Sequence, residues 1–166
     1  MTENELRDAI NSIIERALGE TRARIEEHRG DDWLWGLFSR AVLLTGGATP
    51  LFASVDLRDD NGPVGSIVVV TESAVVRVKF DNPVRRGGEF DHDISAESVP
   101  RSAITGVSAG RVDGSFTRER DWPLRAAVQL QLDRELAGSP IVDLPIRDRA
   151  HGTQALELAA LVSALF

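Results

Sequence analysis

The segment Gly65–Phe80 constrains this chain most. It reads Gly-Ser-Ile-Val-Val-Val-Thr-Glu-Ser-Ala-Val-Val-Arg-Val-Lys-Phe. Ile67 to Val70 is continuously apolar and almost wholly β-branched, the texture of a strand covered on both faces. Val76, Val78 and Phe80 then alternate with Arg77 and Lys79, so the second limb offers one face to a core. Thr71, Glu72 and Ser73 supply a polar turn between the limbs. The pattern predicts a β-hairpin inside a sheet. It carries no chemistry of its own.

Everything before Gly47 has helical texture. Thr2 to Arg29 places Leu6, Ile10, Ile13, Ile14, Ala17, Leu18 and Ile25 at three- and four-residue steps, which predicts an amphipathic helix. Thr2 and Glu5 have capping-box spacing, and Gly19 is a point where the helix can break. Asp31 and Asp32 can cap a second helix over Trp33–Leu44, which Gly46-Gly47 would end. That helix is apolar nearly all round, so most of it must be covered. Trp33, Trp35 and Phe38 have two readings. They fill the space between the first helix and the following sheet, or they anchor a partner, a second copy of the chain or a lipid surface. Residues 1–47 are thus expected to form a helical extension ahead of a sheet-rich domain at 48–166.

From Leu51 the period changes to two. Leu51–Leu57 alternates, and Arg58–Pro63 is rich in turn formers. After the hairpin, Asp81-Asn82-Pro83 and Arg85-Arg86-Gly87-Gly88 predict a loop. Phe90–Ala96 predicts a strand, and Val99–Val107 a proline-led turn into another. Val112–Asp121 is polar and reads as a loop. Leu124, Ala126, Val128, Leu130 and Leu132 then face in, while Arg125, Gln129, Gln131 and Asp133 face out. Ile141–Ile146 predicts a last strand, on an edge because Pro145 has no N–H to donate. Asp148 or Thr153 caps a final helix striped by Leu158, Leu161, Val162 and Leu165.

Composition closes off several functions. The 166 residues include no cysteine, which excludes disulfides and thiolate chemistry. A net charge of −7 disfavours non-specific binding to nucleic acid or anionic lipid. Met1–Glu5 does not lead into an apolar secretory segment, and Trp33–Leu44 is too short to span a bilayer, so a cytoplasmic protein is expected. Glu89, Asp91, His92 and Asp93 cluster near the start of a strand. Alternation points Asp91 and Asp93 away from His92, so they predict a solvated junction and no metal centre. No nucleophile elbow or phosphate-cradling loop is present. Arg118 and Arg120 are interleaved with Glu119 and Asp121, the pattern of a solvated loop. Arg85 and Arg86 could contact an anion, although a pair of arginines in a glycine-rich loop is more often simply exposed. Neither catalytic residues nor a cofactor are expected.

Gly65-Ser-Ile-Val-Val-Val-Thr, the Val99–Val107 stretch and the closing Asp148–Phe166 helix together resemble bacterial members of the pleckstrin-homology-like superfold, over about Leu51 to Phe166. The resemblance implies an α+β, mainly β architecture. Two orthogonal sheets would form a bent antiparallel barrel capped by a C-terminal helix and preceded here by one or two N-terminal helices. It implies a non-catalytic binding module, and the surplus apolar surface around Trp33–Leu44, which the resemblance does not cover, points to protein binding or self-association through the N-terminal helices. The alternatives are a peripheral membrane or anionic-lipid-binding domain using Arg85, Arg86 and the tryptophans, and, further off, a metal-dependent enzyme. Phosphoinositide-binding members carry a basic first inter-strand loop; Arg58-Asp59-Asp60-Asn61-Gly62-Pro63 is net acidic and departs from that pattern.

Overall fold

The computed structural model describes residues 1–16, 19–59, 63–86, 89–113, 125–146 and 153–165. Three helices come first: α1 (Glu3–Ile14), α2 (Gly19–Glu27) and α3 (Asp32–Thr45). Four strands follow, β1 (Phe52–Asp59), β2 (Pro63–Val70), β3 (Ala74–Arg86) and β4 (Glu89–Pro100). A 3-10 turn at Arg101–Ala103 leads to β5 (Ile104–Asp113), β6 (Arg125–Leu132) and β7 (Ile141–Ile146), and α4 (Thr153–Leu165) ends the chain. The fold is α+β, with two antiparallel sheets ordered β1-β2-β3-β4 and β5-β6-β7.

The hairpin occupies the middle of the molecule, which explains its composition. Ile67 and Val69 of β2 join one apolar cluster with α1, α2 and α3. Val68 and Val70 join a second cluster with the three-stranded sheet and α4. All four are fully buried, so the four-stranded sheet is a central layer between helices and the second sheet. Thr71 makes the turn. Its Oγ1 accepts from the Ser73 and Ala74 amides at 3.3 and 3.0 Å, and its own N–H donates to the Ala74 carbonyl.

Local signals place the helices. The Thr2–Glu5 capping box forms in both directions. The long helix expected over Thr2–Arg29 is two helices, α1 ending at Ile14 and α2 starting at Gly19, a residue type that costs about 1 kcal/mol against alanine inside a helix. Gly46 takes the left-handed conformation (φ 63°) past the end of α3, and the Gly46 and Gly47 amides donate to the Leu43 and Val42 carbonyls. Arg101 caps α4 through a 2.8 Å bond to the Ala164 carbonyl.

Three expectations are corrected. The segments around Arg58 and Arg85 are not simply loops: β1 runs to Asp59, β2 starts at Pro63, β3 runs through Arg86 and β4 starts at Glu89. Pro83 is accommodated because the β3–β4 register shifts between Asp81 and Val84. No closed barrel forms among the described residues, since the sheets share no ladder. The β3–β4 ladder runs to its last pair, Ala74 and Pro100, and the Arg101 amide bonds the Ser73 carbonyl as the chain enters the 3-10 turn before β5.

Candidate docking site

Edge strands are where a sheet offers unpaired backbone groups, so their guarding decides what can dock. β1 is approached by both α2 and α4, and β7 lies beside β1. β4 has α3 alongside, tied by a 3.5 Å bond from Ser98 Oγ to the Leu44 carbonyl. Among the described residues, β5 bonds β6 on one side only. Its first seven residues, Ile-Thr-Gly-Val-Ser-Ala-Gly, carry neither charge nor proline, the usual deterrents to pairing. Ile104 and Val107 are half-buried against the second core, which holds the strand in place.

The outer face of the β5-β6-β7 sheet forms an open groove of about 820 Å³ next to this edge, lined by Thr105, Gln131, Asp133, Arg134, Pro140 and Ile141 among others. A Cβ on Gly106 would lie 2.9 Å from Gln131 Oε1, so the Gln131 amide rests over the β5 backbone. Asp133 Oδ1 accepts from the Glu135 amide at 2.8 Å and fixes the short turn that floors the groove. Ile141 is about half exposed and gives the groove an apolar wall. The arrangement offers backbone donors and acceptors, an amide, a hydroxyl and an aliphatic surface. That set suits recognition of an extended chain.

The opposite wall is held from the other sheet. Arg77 of β3 and Glu97 of β4 face each other in register. Arg77 Nη2 donates to Glu97 Oε2 at 2.7 Å, and Nη1 donates to the Ile141 carbonyl at 3.2 Å. Glu97 Oε1 accepts from the Gly138 amide at 2.5 Å.

Of the residues singled out in the sequence, Phe38 is fully buried in the first core cluster, with Trp33 and Trp35 half-buried against it. Both indoles are satisfied within the chain. Trp33 Nε1 donates to Asp31 Oδ2 at 3.1 Å, and Trp35 Nε1 to the Arg29 carbonyl at 2.9 Å. Trp33 also packs on Phe80 at 5.5 Å between ring centroids and meets His28 edge-on at 5.4 Å. Asp31 does not cap α3 with its side chain. Its carboxylate accepts from His28 Nδ1 at 2.9 Å, and this bond, with the Trp33 bond and the His28 charge, holds the Asp31 pKa below its ordinary value against a small desolvation cost. Arg85 and Arg86 sit on β3 opposite Phe90 and Glu89. Their side chains, and those of Glu89, Asp91, His92 and Asp93, lie outside the described ones, as do Arg118, Arg120 and His151 altogether. Among the described residues, no three His, Asp or Glu converge to hold a metal ion, and no helix is long and apolar enough to cross a membrane.

The groove was only half visible in sequence. The outward alternation of Gln129, Gln131 and Asp133 is plain, and so is the lack of charge in Ile104–Gly110. What sequence does not show is that β5 ends up on an edge.

No protein-family model matches the chain, and no curated protein matches it significantly.

Proposed function

We propose that this chain is a non-catalytic interaction module of the pleckstrin-homology-like kind, which takes up an extended segment of a partner protein along β5. The observation that carries this reading is the β5 edge, which no other strand among the described residues pairs, beside the Thr105–Ile141 groove. Strand addition gains affinity from main-chain hydrogen bonds and specificity from alternate side chains in adjoining pockets. The order of four strands, three strands and a terminal helix, with Leu158 and Leu161 buried against both sheets, supports the family resemblance. The N-terminal helices have spent most of their apolar surface on the central sheet, which favours the second sheet as the docking element.

The test is selection from a display library of unstructured peptides, followed by amide-resonance mapping of the enriched peptides. Shifts should concentrate in Thr105–Ala109, Gln131 and Ile141. Donors alternate along a strand, so one of Val107→Pro and Ser108→Pro removes an outward N–H and should abolish binding while leaving the ladder to β6. Enrichment mapping to α3, or no enrichment at all, overturns the reading.

Self-association has one observation in its favour. Leu43 at the end of α3 is 66% exposed and Met1 65% exposed, and Met1 lies near Gly47 just past α3, so the helical segment keeps some uncovered apolar surface. Light scattering across a concentration series decides it. A constant monomer mass eliminates this version.

A further inference from the structure

We propose that Arg77 and Glu97 form a latch that sets the docking groove from the opposite sheet. The inference rests on the reading of the groove as the docking site for its purpose, though not for its mechanics.

The β6–β7 connection has restraints of its own. The Leu132 amide bonds the Pro140 carbonyl at 2.8 Å, and the Leu136 and Ala137 amides bond Asp133 in a single helical turn. The Ala137 side chain is buried in the second core. Past Ala137 the other sheet adds a hold of its own to the Leu132–Pro140 bond. The exposed Gly138 donates its amide to Glu97, and the Ile141 carbonyl accepts from Arg77. Pro140 and Ile141, the wall of the groove, lie between and at these two attachment points.

Arg77 and Glu97 are suited to a latch. Arg77 is 13% exposed and Glu97 28%, so their pairing is only partly screened by water. The guanidinium fork spends one nitrogen on the carboxylate and another on the carbonyl, and Glu97 uses one oxygen for each partner. Each member therefore fixes the other's second bond. A Cβ on Gly138 would stand 3.3 Å from Glu97 Oε1, so the turn comes as close as a residue without a side chain permits. Loss of the pair frees the Gly138 amide and the Ile141 carbonyl, while the turn at Asp133–Ala137 and the Leu132–Pro140 bond stay in place. The groove wall would then move without unfolding the sheet. Neither residue reaches the groove itself, so both are positioning residues.

Amide hydrogen exchange on the full chain tests this. Glu97→Ala should speed exchange at Gly138 at least tenfold and shift the Ile141 and Thr105 resonances, with Leu130 at the centre of β6 changing less than threefold. Glu97→Gln keeps the shape and a neutral acceptor, and should give an intermediate acceleration at Gly138. If Glu97→Ala does not fold, the Gln variant is read alone against a threefold threshold. Unchanged exchange at Gly138 overturns the latch. Equal acceleration at Gly138 and Leu130 overturns it too, because the pair would then act on global stability alone. A peptide selected on the wild-type chain should bind Glu97→Ala at least tenfold more weakly. If no peptide is ever found, the exchange result stands and only the docking reading falls. If peptides bind both proteins equally, docking stands and the latch falls.

Discussion

Arg16, just past the end of α1, holds Glu157 of α4 at 2.9 Å. The first and last helices pack into clusters on opposite faces of the central sheet, and α2 and α4 both touch β1. The ion pair therefore closes around the β1 edge and joins the two layers there. Both side chains keep about a quarter of their surface in water, so the pair itself is worth at most about 1 kcal/mol. A double-mutant cycle with Arg16→Ala and Glu157→Ala, read by urea midpoints, should give a coupling of that size.

The N-terminal helices matter far more through the surface that they cover. Ile10, Ile13, Leu37 and Phe38 are each about 1% exposed, and they cover Ile67, Val69, Val76 and Val78, all fully buried. A chain beginning at Ala48 would expose one whole face of its central sheet, an aggregation surface. Expression of residues 48–166 alone should give insoluble protein or a non-cooperative melt. A soluble fragment with a cooperative transition near that of the full chain would show the helices to be dispensable.

Phe38 and Trp35 separate packing from hydrogen bonding on the same helix. Phe38→Ala should cost about 3–5 kcal/mol, the range for deleting a buried aromatic ring. Trp35→Phe keeps most of the ring and loses only the bond to the Arg29 carbonyl. It should cost about 1 kcal/mol. Urea unfolding of the two variants gives both values, and similar losses would mean that the α3 face is not the core element described.

The strands and helices were legible wherever one period ran unbroken. The hairpin, α3 with its Gly46 stop, and the Leu158–Leu161 stripe of α4 follow from residue spacing alone. Boundaries failed where turn formers lie inside ladders: Asp59, Pro63 and Arg85 read as loop, yet register with neighbouring strands extends through them. The absence of a closed barrel was not legible, since it turns on which strands pair between the two sheets, a long-range property that no local pattern encodes. Nor was the docking groove. Its wall depends on Arg77 reaching Ile141, 64 positions along the chain, and no local pattern encodes that. Asp31 failed for a different reason: its residue type suits an N-cap, but His28 and Trp33 compete for the same carboxylate.

Gly65 gives the sharpest single-site prediction. It pairs with Leu57 on one side and Phe80 on the other. A Cβ built there would lie 2.0 Å from the Asp56 carbonyl oxygen, and that atom belongs to backbone which cannot swing aside. Gly65→Ala should force β1 away from β2 and cost at least about 1–3 kcal/mol, the scale of overpacking strain. Gly30→Ala is the contrast, because nothing lies within 4 Å of its added methyl. Thermal melts should therefore show a clear drop for Gly65→Ala and nearly none for Gly30→Ala.

The Asp31 carboxylate sets a pH dependence whose sign follows from its partners. Its folded pKa lies below the ordinary 3.8 because His28 and Trp33 both donate to the charged form. A group with a depressed folded pKa contributes stability that is fully present above its unfolded value. That contribution is lost as pH falls through the folded value, where both states bind the proton. The window is thus acidic, at and below about pH 4. Asp31 is half exposed, so solvent screening keeps the effect small. Asp31→Asn should lower the urea midpoint slightly at pH 7, and the difference from the wild type should shrink as pH falls below about 4 through the depressed folded value. The substitution should also loosen the ring pair, since Asp31 holds both His28 and Trp33. Trp33 fluorescence recorded across the same titration reports that loosening directly. A midpoint difference that does not shrink as pH falls below about 4 would show that Asp31 acts through backbone geometry and not through its charge.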